Sequence, residues 1–269
     1  MNAEEEILTS AFDSAALSYD TDFTFSNMGI LQRKRVYYFL EKILSKESKR
    51  LEILEINCGT GEDARWFAEK GHSVIATDAS EKMIDMATHK KQELFEVCSY
   101  DKLIKKYSNK KFDLIFSNFG GLNCINEVQL KKLSADLFSL LKPGGKFVAV
   151  LMGKKCLWEQ IYFILKLNFK KAFRRLSSTG VDAVIGDQIQ KTFYYSPAEF
   201  ANLYAKEFKT IMKKPVGFVL PPSYLESFFK NKTWLLQLLN LKEKVFPFSF
   251  LSNFADHYFI VLQRSNNIS

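Results

Sequence analysis

No stretch of this 269-residue sequence reaches the ~18 consecutive apolar residues that a membrane-spanning helix needs. Cysteine is scarce: Cys58, Cys98, Cys124 and Cys156 lie far apart, with no CxxC pair. That spacing provides neither a zinc cluster nor a disulfide framework, so reduced thiols in the cytoplasm and no bound metal are expected. The opening segment MNAEEEILTS is acidic and has no apolar centre, so no secretory leader is expected there. Internal repeats, low-complexity tracts and any recognised RNA-binding module are missing as well. What remains is 47% hydrophobic and 25% charged, the composition of a packed globular chain rather than a disordered tail, a collagen-like fibre or a coiled-coil rod. The length suits one large domain, or one domain carrying insertions.

The pattern that is present alternates. Helical spacing covers about 3–17 and 29–45, with the polar and aromatic segment 19–26 between them. Then LEILEIN (51–57), SVIATD (73–78), LFEVC (94–98), FDLIFSN (112–118) and KFVAVLM (146–152) read as buried strands. Helices fall between most of them, at 62–71, 80–91 and 126–142, with Ser80 as an N-cap and Pro143-Gly144-Gly145 as a stop. Strand–helix alternation at this spacing predicts a parallel sheet with right-handed crossovers. Near-continuous apolar strands predict helices on both of its faces.

After Met152 the rhythm breaks. Residues 156–176, CLWEQIYFILKLNFKKAFRRL, are aromatic, basic and amphipathic. A helix resumes at 196–208 and a strand at 210–220. A second insertion, 221–252, holds helical spacing at 234–246, and 256–264 reads as the last strand. Residues 1–150 carry 21 basic and 22 acidic side chains, whereas 151–250 carry 16 and 7. The excess positive charge thus belongs to the inserted region. A lysine-rich codon bias and a functional basic surface both account for it.

Chemistry concentrates in the first loop, Glu55-Ile56-Asn57-Cys58-Gly59-Thr60-Gly61, between a strand and a helix. Its glycines permit a sharp turn and a close approach of backbone to ligand, and the helix start offers unpaired N–H groups. The spacing is not the GxGxxG of a dinucleotide site. Glu55 would repel a phosphate and attract an amine. Asp78 closes the second strand, 17 residues after Gly61, where a carboxylate suits two ribose hydroxyls. Together these point to an adenosine-containing ligand without phosphates.

These residues resemble a known family. ILEINCGTGEDARWFAEKGHSVIATDASEKMIDMA is similar to motifs I and II of class I S-adenosylmethionine-dependent methyltransferases. FDLIFSNFGGLNCI resembles motif IV, and AFDSAALSYDTDF the lead-in of small-molecule, quinone-biosynthesis-type members. The resemblance implies an α/β, Rossmann-like fold: a seven-stranded, mostly parallel sheet with helices on both faces, N-terminal helices and an inserted helical cap. It also implies S-adenosyl-L-methionine as cofactor. Carried over residue by residue, it places Glu55 near the methionine amine, Gly59 and Gly61 against the cofactor, Asp78 on the ribose, and Ala79 and Met83 beside the adenine. Asn118 and Phe119 would face the methionine portion, and Tyr19 with Arg33 or Arg35 its carboxylate. Asn57 and Cys58 complete the loop. Two positions depart from the pattern. Asn57 stands where the family has its first glycine, although asparagine tolerates positive φ. Ser99-Tyr100 stands where an acid near the adenine is usual, with Asp101 two residues late.

The resulting domain expectations are N-terminal helices over 1–50 completing the cofactor site, a core over 51–152, a helical cap over 153–195, a return to the core over 196–220, a second cap over 221–252, and a last strand with tail over 253–269. An antiparallel last strand would bring His257 to the ligand edge, as a candidate general base with Asp256 as alternative or helper. His72 and His89 read as surface residues, and Phe119, Tyr194 and Tyr195 as core or lid packing. The basic insertion reads as a lid over a small, partly apolar or lipid-like acceptor, as a membrane-surface helix, or as a nucleic-acid contact. The leading function is therefore methyl transfer to a small molecule. RNA methylation and non-catalytic cofactor binding remain the alternatives.

Overall fold

A computed structural model describes residues 3–89, 94–229 and 232–265. In chain order the elements are α1 (Ala3–Tyr19), a π-turn (Asp20–Thr24), α2 (Asn27–Leu44), β1 (Glu52–Ile56), α3 (Glu62–Glu69), β2 (Ser73–Asp78), α4 (Glu81–Thr88), β3 (Phe95–Val97), α5 (Leu103–Tyr107), β4 (Phe112–Ser117), α6 (Glu127–Leu140), β5 (Leu141–Met152), α7 (Leu157–Leu165), α8 (Phe169–Ala172), β6 (Val181–Ile185), β7 (Gln188–Thr192), α9 (Pro197–Leu203), β8 (Phe208–Val216), α10 (Glu226–Phe229), α11 (Thr233–Val245) and β9 (His257–Arg264).

Seven strands form one sheet in the order β3-β2-β1-β4-β5-β9-β8. Pairings among β1 to β5 are parallel, and β9 runs antiparallel to both of its neighbours. This is the Rossmann-like sheet expected from the strand–helix alternation. Side chains of β9 show how both faces are filled. Tyr258, Ile260 and Leu262 enter one core with α5, α6 and α9, while Phe259 and Val261 enter the other with α2, α3 and α4. Each fully buried side chain of this size contributes about 1.5–3 kcal/mol. The crossover helices are capped as their sequences suggest. Ser80 accepts from the Met83 N–H, and Asn126 and Ser196 each close a capping box.

Two expectations change. The cap over 153–195 is not wholly helical, because β6 and β7 pair as an antiparallel hairpin. Its turn, Gly186-Asp187, places Gly186 at φ +59°, the left-handed geometry a tight hairpin needs. Its strands alternate exposed positions with half-buried or buried ones, and the buried ones are the polar Gln190 and Thr192, so they lack the apolar run that marks a buried strand. β5 also begins at Leu141, before the Pro-Gly-Gly turn, with a register irregularity against β4 between Phe112 and Leu114. The end of the helix expected over 80–91 lies partly outside the described residues.

Register fixes what stands at the ligand edge. Met152 and Val216, the last residues of β5 and β8, both pair with His257, the first residue of β9. The antiparallel direction therefore delivers His257 to the rim where β1 and β4 also end. No described helix is long and apolar enough to cross a membrane.

Candidate active site

Two connected hollows open along that rim. The first is a cleft lined by Tyr19, Asn57, Gly59, Asp78, Ala79, Met83, Tyr100, Asn118 and Phe119, among others. The second, about 680 Å³, lies beyond Tyr19 and Phe119, which wall both.

The cleft is built by the loop after β1. Asn57 sits at φ +58°, so asparagine does adopt the left-handed turn at the position where glycine is usual. Gly59, at φ +53°, presents a bare backbone edge, and a Cβ there would lie 3.7 Å from the Tyr19 ring. Gly61 does different work. A Cβ at that position would fall 2.4 Å from the Phe95 ring, so this glycine lets α3 pack against β3 and does not line the cleft. Cys58 extends the strand, its N–H donating to the Thr77 carbonyl at 3.0 Å, and its buried thiol stays out of the cleft lining.

Asp78 ends β2 with one carboxylate oxygen accepting from the Gly59 N–H at 2.8 Å and the other from the Ser80 N–H at 3.0 Å. Burial pushes its pKa above the ordinary value against these donors. Each carboxylate oxygen keeps a lone-pair site beyond its backbone donor. Ala79, Met83 and Tyr100 form the apolar wall beside it. Ser99 is turned away, donating to the Asp101 carboxylate, and neither lines the cleft.

At the other end, sequence reasoning missed the organising residue. Asp63, in the first turn of α3, accepts from Arg33 at 2.6 Å, Tyr37 at 2.8 Å and Asn118 at 2.9 Å. Its signal was an acidic residue at the start of the helix that follows a glycine loop, where the helix dipole favours negative charge. Asn118 is thereby oriented, with its Oδ1 accepting from the Phe119 N–H at 3.0 Å. Arg33 lies 5.3 Å from the Phe119 ring centroid and keeps a buried Nε without a partner. Neither of the two arginines proposed for this role lines the cleft. Arg33 stands beside it through Asp63 and the Phe119 ring, whereas the Arg35 guanidinium stacks 4.5 Å from the Phe39 ring centroid.

Glu55 is buried behind the loop, with Oε2 unpartnered. Burial, then Asp63, raises its pKa well above the ordinary carboxyl value. The folded protein therefore holds a proton that the unfolded chain releases above its ordinary carboxyl pKa, and stability falls as pH rises from there. Glu55→Gln should lack this loss. The variant's stability relative to the wild type should therefore rise steadily from pH 5 to pH 8, as read by thermal scans at each pH.

The larger hollow takes its walls from the insertions: Arg174, Arg175 and Tyr194 from the first cap, Ala183 to Gly186 from the hairpin, and Pro222 to Tyr224 from the second cap. His257 lies on its lining, with its ring 5.4 Å from that of Phe119 and Nδ1 3.2 Å from Asp256 Oδ2. Asp256 also accepts from Arg175 at 2.8 Å and from Gln32 at 3.3 Å. Burial works against its charge, but His257 and Arg175 together hold the carboxyl well below its usual range. A carboxylate held that firmly ionised is a poor proton acceptor, which argues against Asp256 as the alternative base. Cys124 also faces this hollow, but burial and then Asp78 push its thiol up to about 12. It is no nucleophile at neutral pH.

The two arginines of the basic insertion are not a free cationic surface. Glu159, itself buried, accepts from Arg174 at 2.7 Å and from Arg175 at 2.8 Å, which ties the end of the first cap to α7. The second cap is anchored similarly. Glu243 on α11 accepts from four successive backbone N–H groups, Gly217 to Leu220, at 2.6–3.3 Å. Of the remaining aromatic and histidine expectations, Tyr195 packs in the core with its hydroxyl on the Ile125 carbonyl, and Tyr194 faces the hollow. His72 accepts from the Leu51 N–H, and His89 is exposed. No metal-binding cluster occurs among the described residues.

Residues 53–145 match the family model of a methyltransferase domain. A demethylmenaquinone methyltransferase of Leptospira interrogans is 31% identical over 152 residues, 53% of this chain and 59% of that protein. A ubiquinone biosynthesis O-methyltransferase of Rickettsia canadensis is 29% identical over 47% of this chain and 54% of its own length. The chain thus spans less than two thirds of these relatives. Among solved structures, magnesium protoporphyrin IX methyltransferase from Synechocystis, with S-adenosylhomocysteine bound, superposes with a TM-score of 0.62 at 13% identity, over 97% of this chain and 100% of that one. A toxoflavin-pathway N1-methyltransferase of Burkholderia thailandensis gives 0.58 at 17%, over 99% and 92%.

Proposed function

We propose that the chain is built on a class I S-adenosylmethionine-dependent methyltransferase core and transfers a methyl group from S-adenosylmethionine to a small, partly apolar acceptor held in the cap-walled hollow. The observation that carries this reading is the pair of adjoining hollows. One has the donor set for an adenosine with an amino-acid end, and the other is large and aromatic, with a histidine packed edge-on against Phe119 of the shared wall. The quinone-pathway names among the relatives agree with a partly apolar acceptor.

The residues present fit the cofactor. Asp78 would hold the ribose hydroxyls, Ala79, Met83 and Tyr100 the adenine, and the bare edge of Gly59 the chain between. Glu55, Arg33, Tyr19 and Asn118 would hold the charged amino-acid end, where an arriving ammonium would offset the cost of ionising buried Glu55. When bound, the cofactor supplies an electrophilic methyl carbon. The protein's part is to align an acceptor atom with it and exclude water. Tyr19 and Phe119 wall that meeting point. His257 would take a proton from a hydroxyl or amine acceptor, with Asp256 steadying the imidazolium and Arg175 steadying Asp256. Two of the basic side chains that RNA methylation would call on, Arg174 and Arg175, are instead paired with Glu159 and Asp256.

Asp78→Ala should weaken S-adenosylmethionine binding by ~2–4 kcal/mol, about 30- to 700-fold, counting ~1.5–3 per charge-assisted hydrogen bond with partial replacement by water. Calorimetry on the folded variant checks it, and unchanged affinity would remove Asp78 from the site. Release of S-adenosylhomocysteine during turnover separates an enzyme from a cofactor-binding protein without activity.

A further inference from the structure

The roots of the first cap line the acceptor hollow, and its outer face carries exposed apolar and basic side chains. α7 carries two apolar stripes. One, with Trp158 and Tyr162, packs inward on the cluster that includes Met28, Leu31 and Leu236. The other, Leu157, Ile161, Ile164 and Leu165, repeats at helical spacing on exposed positions. A helix confined to the rim of a globular domain needs only the first.

The turn beyond α7 sharpens the case. Leu165 and Leu167 are 79% and 80% exposed, on either side of exposed Lys166. Leu167 holds φ +54°, a left-handed geometry that strains a leucine. Phe169 follows, 58% exposed, beside Lys170 and Lys171. The one acidic residue of 154–176, Glu159, is buried beneath its arginines. α11 repeats the design: Trp234, Leu238, Leu241 and Val245 form an exposed stripe next to Lys242 and Lys244.

We propose that the α7–α8 tip is a docking surface for an anionic phospholipid bilayer. Leu165, Leu167 and Phe169 enter the interface and Lys166, Lys170 and Lys171 meet the headgroups. Apolar side chains ringed by lysine, with no exposed acid among them, complement such a surface in both solvation and charge. A second copy of the chain suits this face less well. A two-fold contact pairs each patch with itself and would set the lysines against one another. The inference rests on the surface alone and not on the methyl-transfer reading.

The test is sedimentation of the full chain with vesicles of phosphatidylcholine alone and of phosphatidylcholine mixed with phosphatidylglycerol. Binding should be at least about tenfold stronger to the mixed vesicles and should fall as salt is added. Leu165→Ser with Leu167→Ser should reduce it about tenfold, while S-adenosylhomocysteine binding by calorimetry stays unchanged. If that variant fails to fold, Lys166→Gln with Lys170→Gln and Lys171→Gln serves in its place and should abolish the preference for mixed vesicles. Equal binding to both vesicle types, or binding that neither variant alters, overturns the proposal. So does a wild-type dimer that the leucine variant converts to monomer in sedimentation velocity. Loss of cofactor binding in a folded variant would instead place the tip in the methyl-transfer machinery.

Discussion

Replacing His257 with alanine should lower turnover by ~10²–10⁴-fold and leave S-adenosylmethionine affinity intact, for an acceptor whose nucleophile carries a proton of high pKa. The expectation rests on where β9 begins. Its antiparallel direction sets His257 beside the ends of β5 and β8, on the lining of the acceptor hollow and in edge contact with Phe119. Asp256 lies 3.2 Å from Nδ1, on the far side of the ring from Nε2, so a protonated imidazole has a partner for its positive charge. Asp256 is pinned in turn by Arg175 at 2.8 Å. Added imidazole should restore part of the lost rate, which a merely structural histidine would not allow. A loss under about fivefold would mean that alignment alone drives the transfer, or that the acceptor arrives already deprotonated.

Glu159→Ala should destabilise the protein by ~3–5 kcal/mol, because removing one partner of a buried charge pair leaves the others uncompensated. Here the remaining charge is double. Arg174 and Arg175 both donate to Glu159, and Arg175 is buried with only Asp256 left to neutralise it. Urea denaturation of the variant should show the full loss. Lys170→Ala with Lys171→Ala, on the exposed side of the same segment, should stay within about 0.5 kcal/mol per site. If Glu159→Ala costs no more than the lysine changes, the ion pairs do not hold the cap. Because Arg175 also reaches Asp256, the variant should lose turnover beyond its loss of folded protein.

The core was legible because its signals are local. An apolar run ending in a glycine loop gave β1, one closed by Asp78 gave β2, and the ends of β1, β2 and β4 placed Gly59, Asp78 and Asn118 along one edge. Asn57 could be read as a turn residue from its tolerance of positive φ alone. What escaped depends on distance along the chain. Asp63 gathers Arg33, Tyr37 and Asn118 from α2 and the end of β4, and no spacing rule links those positions. Glu243 joins four N–H groups more than twenty residues upstream, and Glu159 neutralises a pair of arginines that composition counts as surface charge. The β6–β7 hairpin hid for a different reason. It exposes the apolar Val184 and Ile189 and buries the polar Gln190 and Thr192, so it lacks the apolar contrast by which a strand announces itself, and only its Gly-Asp turn marked the place.

The N-terminal helix is fastened at two ends of the rim. Asp13 accepts from the Ser80 hydroxyl at the cofactor cleft, Asp20 accepts from the Thr60 hydroxyl in the glycine loop, and Ser14 reaches the Ile185 carbonyl of the hairpin over the acceptor hollow. Tyr19, near the end of that helix, forms part of both walls. One element therefore borders two chambers. If α1 has to lift for a cofactor to exchange, the hairpin loses its Ser14 contact in the same movement, and the two chambers would open together.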